Sequence, residues 1–309
     1  MKVLLVHSGN AVNGDSERYT FVREQGESLH ALGIDVEYFA IVGKGVKGYL
    51  SNYRRLQKAI EEFQPHLIHA HFGLCGALCV MQSRVPVVIT CHNGETLSRY
   101  GNIITSLAIQ RAAHTICVAQ HIYDKLYLKP KKYTIKPCGI EITDVMDKTI
   151  AQQAMNLPKD KINILFGGSF SNLRKNVALA NAALHILNRD DINMIEMKGF
   201  SREQVTWLYN ACDMLLLPTK SEGSPQVLKE AMAYNCPIVA TDVADITYLL
   251  DGVSNSYVTT FEPSDVADKI QKVIALGERT NGRERIMQLR LTNREVAKAI
   301  KTIYENILS

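Results

Sequence analysis

Two glutamates with seven residues between them, Glu222 and Glu230, come after the apolar run Met214-Leu215-Leu216-Leu217 in the stretch Pro218-Thr219-Lys220-Ser221-Glu222-Gly223-Ser224-Pro225-Gln226-Val227-Leu228-Lys229-Glu230-Ala231-Met232. The run has the composition of a buried strand, and residues 218–232 read as a loop entering a helix. Ser224 is a good N-cap, Pro225 suits the first helical position, and Gly223 lets a ligand approach the backbone closely. The amide groups of Gln226, Val227 and Leu228 then lack intrahelical partners and point, with the helix dipole, at an anion; a diphosphate fits. Gln226 and Glu230 are i and i+4 on one face, about 6 Å apart along the axis, the step from a pyrophosphate to the ribose of the same nucleotide. Glu222 stays on the loop, across the phosphates. One carboxylate can therefore reach a ribose diol and the other a sugar.

The spacing alone means little, because 17 glutamates in 309 residues yield about one such pair by chance. The elements around it give it meaning. Apolar, β-branched runs at 3–7, 36–42, 67–71, 87–90 and 115–118 alternate with helical patterns, and a second series runs through 162–166, 192–197, 214–217, 238–241 and 257–259. This alternation predicts parallel α/β sheets, and two doubly wound domains of about 150 residues fit it better than one. The first is placed at 1–145, a linker at 146–160, the second at 161–282. A terminal helical segment at 283–309, with Val296, Ile300, Ile303 and Ile307 on one face, is expected to tie the domains together. Open α/β sheets bind ligands beyond the carboxyl ends of their strands. The Glu222 loop and His92, just after 87–90, both fall there.

Two glycine patterns point elsewhere and fail on position. Gly43-Lys44-Gly45-Val46-Lys47-Gly48 has dinucleotide spacing, yet it comes after the second strand where that fingerprint belongs to the first, so it reads as a flexible basic loop. Gly9-Asn10-Ala11-Val12-Asn13-Gly14-Asp15-Ser16 has Walker A spacing, with Asp15 where the lysine must meet phosphates. A carboxylate there inverts the chemistry and excludes an ATPase. There remains a glycine loop leading to a helix with Asp15 or Ser16 as N-cap.

The block Glu222-Gly223-Ser224-Pro225 through Glu230-Ala231-Met232-Ala233 to Pro237-Ile238-Val239-Ala240-Thr241-Asp242-Val243 resembles that of the retaining glycosyltransferases of family 4. The resemblance spans nearly the whole chain. Gly14-Asp15-Ser16-Glu17-Arg18, His69-Ala70-His71-Phe72-Gly73, Thr90-Cys91-His92-Asn93-Gly94-Glu95, Pro137-Cys138-Gly139-Ile140-Glu141 and Gly168-Ser169-Phe170 with Arg174-Lys175-Asn176 are similar to its other segments. The chain departs from the family pattern where Asp15 follows Gly14 in place of a second glycine, where Cys138 replaces an asparagine and Ser169 an arginine, and where Ala244-Asp245 replaces a glycine pair.

The resemblance implies a GT-B fold, two facing Rossmann-like doubly wound parallel-sheet domains with the chemistry in an inter-domain cleft. It implies an acceptor on the first domain, a nucleoside-diphosphate sugar on the second, and transfer with retention and without bound metal or other cofactor. Glu222 would meet the transferred sugar, Glu230 the ribose, and His92 the sugar or acceptor edge. Lys175 and Arg174 would meet the phosphates, either together or with Lys175 alone pointing inward. Gly14, Gly168, Gly223, Ser224, Pro225, Gln226, Val227, Gly199 and Phe200 complete the expected donor site. UDP- or GDP-sugars are the expected donors, and a glycan or lipid-linked acceptor of bacterial surface polysaccharide synthesis the expected partner. A sugar-nucleotide epimerase of the same fold and a non-catalytic partner subunit are the competing readings.

At 46% hydrophobic and 21% charged, the chain can close two medium cores, which excludes disorder. No apolar run approaches membrane-spanning length, and the odd cysteine count points to a reducing, cytoplasmic setting. Cys75 and Cys79 lack a second pair, and His66, His69 and His71 read as hydrogen-bonded strand residues, so no metal site is expected. Of the +4 charge, all sits in residues 1–150, with 17 basic against 13 acidic residues, while the remainder balances at 18 and 18. That density is too low for a nucleic-acid face. Lys44, Lys47, Arg54, Arg55 and Lys58, interleaved with Tyr49, Leu50 and Tyr53, suit either an anionic membrane surface or a charged acceptor, with a solvated face as the alternative.

Overall fold

A computed structural model of the chain describes residues 1–9 and 20–309. These divide into two compact units, Met1–Gly139 with Asn293–Ser309, and Ile140–Thr292. In the first unit, strands β1 (Lys2–Ser8), β2 (Asp35–Ile41), β3 (Leu67–His71), β4 (Val87–Cys91), β5 (His114–Cys117) and β6 (Tyr133–Ile135) form a parallel sheet in the order β2-β1-β3-β4-β5-β6. Every residue of β3 and β4 is buried, as expected of central strands covered on both faces.

Because side chains alternate along a strand, β1 sends Leu4 and Val6 into one core and Val3 and Leu5 into the other. The second of these cores is closed by helices Thr20–His30 and Asn293–Leu308 through Val22, Leu29, Val296, Ala297, Ile300 and Tyr304. The terminal helix thus belongs to the first unit. β6 lies outside the expected strands: three residues are too short for a periodic signal, and only pairing with β5 defines it.

In the second unit, β7 (Ile162–Phe166), β8 (Ile192–Glu196), β9 (Met214–Leu217), β10 (Ile238–Thr241) and β11 (Ser256–Thr259) form a parallel sheet in the order β11-β10-β9-β7-β8. Leu165, Leu215 and Ile238 face one core, and Ile164, Phe166, Met214 and Val239 the other. Residues 146–160, expected to form a linker, lie within this unit and include the helix Lys148–Ala154. Its N-cap, Asp147, accepts hydrogen bonds from the backbone N–H groups of Thr149 and Ile150.

The segment expected to be a basic loop is instead a short helix, Gly45–Leu50. Its glycine spacing has a packing cause: a Cβ on Gly43 would come within 2.8 Å of the Gly48 backbone, and one on Gly48 within 2.6 Å of Gly43. Among the described residues no helix is long and apolar enough to cross a membrane.

Candidate functional site

Strand order reverses in the second sheet where β7 lies between β8 and β9, and the loops leaving β7 and β9 therefore open the crevice in which such sheets bind ligands. β7 runs into Gly167-Gly168. Gly168 sits at φ +156, and a Cβ there would meet Lys175 Cγ at 2.8 Å, so the lysine stem lies across a bare backbone. Lys175 Nζ then donates to Glu222 Oε1 at 2.8 Å, and Thr219, just past β9, donates its hydroxyl to the same oxygen at 3.0 Å. Arg174 reaches Glu222 Oε2 only at 3.7 Å with its side chain 44% exposed, against 12% for Lys175. Lys175 is the inward cation of the pair. Lys220 N–H donates to the Arg174 carbonyl, joining the two loops. Glu222, 8% exposed, is no solvated loop acid.

Glu230 is held from the other side. Arg202 donates to Oε1 at 2.7 Å and the Tyr209 hydroxyl to Oε2 at 2.9 Å. Burial and then Glu230 push the Tyr209 hydroxyl pKa well up, so it remains a donor. Gly199, at φ +77, and Phe200 lead into Ser201, whose capping box with Gln204 starts the helix Arg202–Ala211 that carries both partners.

The helix Gln226–Ala233 starts one residue later than expected. Pro225, with ψ 118, is its N-cap and makes no side-chain cap, so Ser224 is not the cap. Gln226 and Val227 occupy its first positions, and Gly223 lies in the loop before it. The Ser224 hydroxyl and both Asp245 carboxylate oxygens are buried. Burial pushes the Asp245 carboxyl pKa up, opposed by Ser224 and by Lys229, which is fully buried on the helix. Ser169, where the resemblance expects an arginine, anchors its loop instead. Its hydroxyl and the Phe170 N–H both donate to Glu196 Oε1 at 2.7 Å, holding that carboxyl below its ordinary range.

In the first unit, His92 comes directly after β4. Its Nε2 lies 3.2 Å from His71 Nδ1, and its Nδ1 lies 3.9 Å from Cys138 Sγ. Phe21 and Phe72 pack against its ring. Phe72 itself sits at φ +74, a conformation costing a bulky residue about 1–3 kcal/mol and concentrated at functional sites. His69 bonds Tyr304 and Thr90, whereas His66 lies apart and accepts from Lys2 N–H. Gly14, with Asp15, Ser16, Glu17 and Arg18, lies outside the described residues.

Thr219, Arg202, Tyr209, Lys229 and Asp245 were not among the residues expected from sequence. Arg202, two residues past Phe200, carried a weak positional signal. Asp245 was marked only as part of the Ala244-Asp245 departure, and Lys229 carried no signal, because nothing in a single sequence marks a lysine as buried.

A family model described as Glycosyltransferase Family 4 matches residues 19–144, and one described as Glycosyl transferases group 1 matches residues 149–276. An uncharacterised glycosyltransferase of Methanocaldococcus jannaschii is 23% identical over 85% of this chain and 82% of its own length. TuaC of Bacillus subtilis, a glycosyltransferase provisionally assigned to teichuronic acid biosynthesis, is 25% identical over 64% of this chain and 60% of its own length. The crystal structure of Anabaena HepE in complex with UDP and glucose superposes with a TM-score of 0.76 over 99% of this chain and all of that one, at 15% identity.

Proposed function

We propose that this chain, which belongs to glycosyltransferase family 4, moves a sugar from a nucleoside-diphosphate sugar, UDP- or GDP-linked, to a glycan or lipid-linked acceptor of surface polysaccharide synthesis, with retention of configuration and without a bound metal. The observation that carries this reading is the Lys175–Glu222–Thr219 cluster at the β7/β9 crossover, just ahead of the helix that starts at Gln226. Lys175 and the first-turn amides of that helix supply positive potential for the leaving diphosphate, the part a metal would otherwise play. Glu222 accepts hydrogen bonds from the sugar hydroxyls. Glu230, held by Arg202 and Tyr209, takes the ribose diol. Attack proceeds on the face that the diphosphate leaves, with a donor phosphate oxygen taking the acceptor proton. HepE's complex with UDP and glucose supports the donor class, and TuaC's assignment the polymer class.

The first unit supports a lipid-linked acceptor at the inner membrane face. A cavity of about 300 Å³ is lined by Val46, Leu50, Leu74, Met81, Tyr100 and Ile104. The three helices around it, Gly45–Leu50, Gly73–Cys79 and Arg99–Arg111, contain no acidic residue, while Lys44, Lys47 and Arg99 directly flank lining residues in the sequence. An apolar chain with a phosphate head matches both features.

Donor binding is tested by a thermal-shift panel of UDP, GDP, ADP and dTDP. One of them at a hundredfold excess over its Kd should stabilise the protein by about 2.7 kcal/mol. A melting temperature unmoved by all four would overturn the reading.

A further inference from the structure

The Tyr304 hydroxyl is fully buried, and its hydrogen-bond partner among the described residues is His69 Nδ1, at 2.6 Å. A buried phenol must place its proton on an acceptor. His69 Nδ1 is therefore bare, and the ring's single proton is on Nε2, donated to Thr90 Oγ1 at 2.7 Å. Desolvation keeps this imidazole neutral.

A bare Nδ1 then dictates how the Gln25 side chain is turned. The amide group facing it at 3.5 Å must be the NH2, since the carbonyl oxygen would set lone pair against lone pair. The same NH2 lies 3.4 Å from His71 Nε2, so that nitrogen is bare as well. His71 is buried and neutral, which places its proton on Nδ1. That proton points at His92 Nε2, 3.2 Å away. The ring centroids are 5.4 Å apart with planes 26° from parallel, so the two imidazoles meet edge to edge, as a hydrogen bond requires. His92 Nε2 is then an acceptor, and the His92 proton sits on Nδ1, on the Cys138 side.

We infer that Tyr304, Gln25 and His71 are positioning residues that fix the His92 proton on Nδ1, so that His92 serves the transfer as a hydrogen-bond donor to a substrate oxygen and not as the base that deprotonates the acceptor. A proton added at Nε2 would face the His71 N–H, so the same chain opposes base action. The role on substrate rests on the glycosyltransferase reading; the proton positions do not.

The proton positions are read by two-bond 1H–15N correlation on protein carrying 15N-labelled histidine, without substrate. The expected spectrum has His69 protonated on Nε2, and His71 and His92 on Nδ1. Gln25→Met, which removes the directing NH2, and Tyr304→Phe, which removes the first proton in the chain, should each turn His92 into a mixture of tautomers. In Gln25→Met, kcat should fall about tenfold with the nucleotide thermal shift unchanged. His92→Asn, which keeps an N–H donor near the position of Nδ1, should retain turnover that His92→Ala loses. A wild-type His92 protonated on Nε2, a single unchanged tautomer in both variants, or His92→Asn as inactive as His92→Ala would each overturn the inference. A failed nucleotide shift would instead strike the donor reading and leave the spectrum to stand.

Discussion

Lys175 Nζ and Glu222 Oε1 meet at 2.8 Å with side chains only 12% and 9% exposed, and they therefore form one buried electrostatic unit. Removing one member of a buried pair strands the other, at about 3–5 kcal/mol. Lys175→Met should lower stability toward urea more than the double variant Lys175→Met/Glu222→Gln does per site, with a coupling of about 1–3 kcal/mol in the cycle. Transfer should fall about 10²–10³-fold in either single variant. Additive stability losses, or full activity in either variant, would show that the contact is incidental.

The histidine core makes the first unit sensitive to mild acid. Burial, with smaller contributions from His92 and His114, lowers the His69 pKa from 6.5 to about 3. The unfolded chain therefore binds a proton that the folded chain refuses. The resulting stability is full above pH 6.5 and is lost as the pH falls toward 3, at about 1.4 kcal/mol per pH unit. Between pH 6.5 and 5, His69→Gln should have a shallower slope than wild type by about that amount. Equal slopes would mean that His69 does not govern this window.

The apolar cavity beside Val46 predicts lipid binding that depends on both its walls and the lysines that flank Val46 in the sequence. Wild type should float with phosphatidylcholine vesicles containing phosphatidylglycerol and not with phosphatidylcholine alone. Val46 and Tyr100 are 65% and 80% exposed, so Val46→Asp and Tyr100→Asp should leave the fold intact while weakening flotation about tenfold. Lys44→Glu/Lys47→Glu should do the same through charge. Loss in the charge variant alone would reduce the site to a basic patch.

Much of the protein was legible from residue order because its signals are local. All five strands of the second sheet and five of the six in the first lie where short apolar runs meet turn residues. A buried parallel strand must be apolar on both faces, and few other short segments of a globular chain have that composition. Glu222 and His92 could be placed from sequence because each follows a strand end, the edge at which open α/β sheets bind ligands, whereas Lys175 was singled out only through the family resemblance. Glu230 was legible through helical periodicity, four residues on from Gln226.

The rest depended on contacts between residues far apart in the chain. Whether Arg174 or Lys175 turns inward depended on Gly168 giving the lysine stem room to lie down. The partners of Glu230, Arg202 and Tyr209, come from a separate helix upstream. The final helix could have covered either sheet by its apolar stripe, since hydrophobic burial is non-directional. Its place in the first unit brings Tyr304 to His69 across 235 positions of sequence. Hydrogen bonds, unlike apolar contacts, demand one donor and one acceptor at a set distance, and only the folded chain decides which atoms meet.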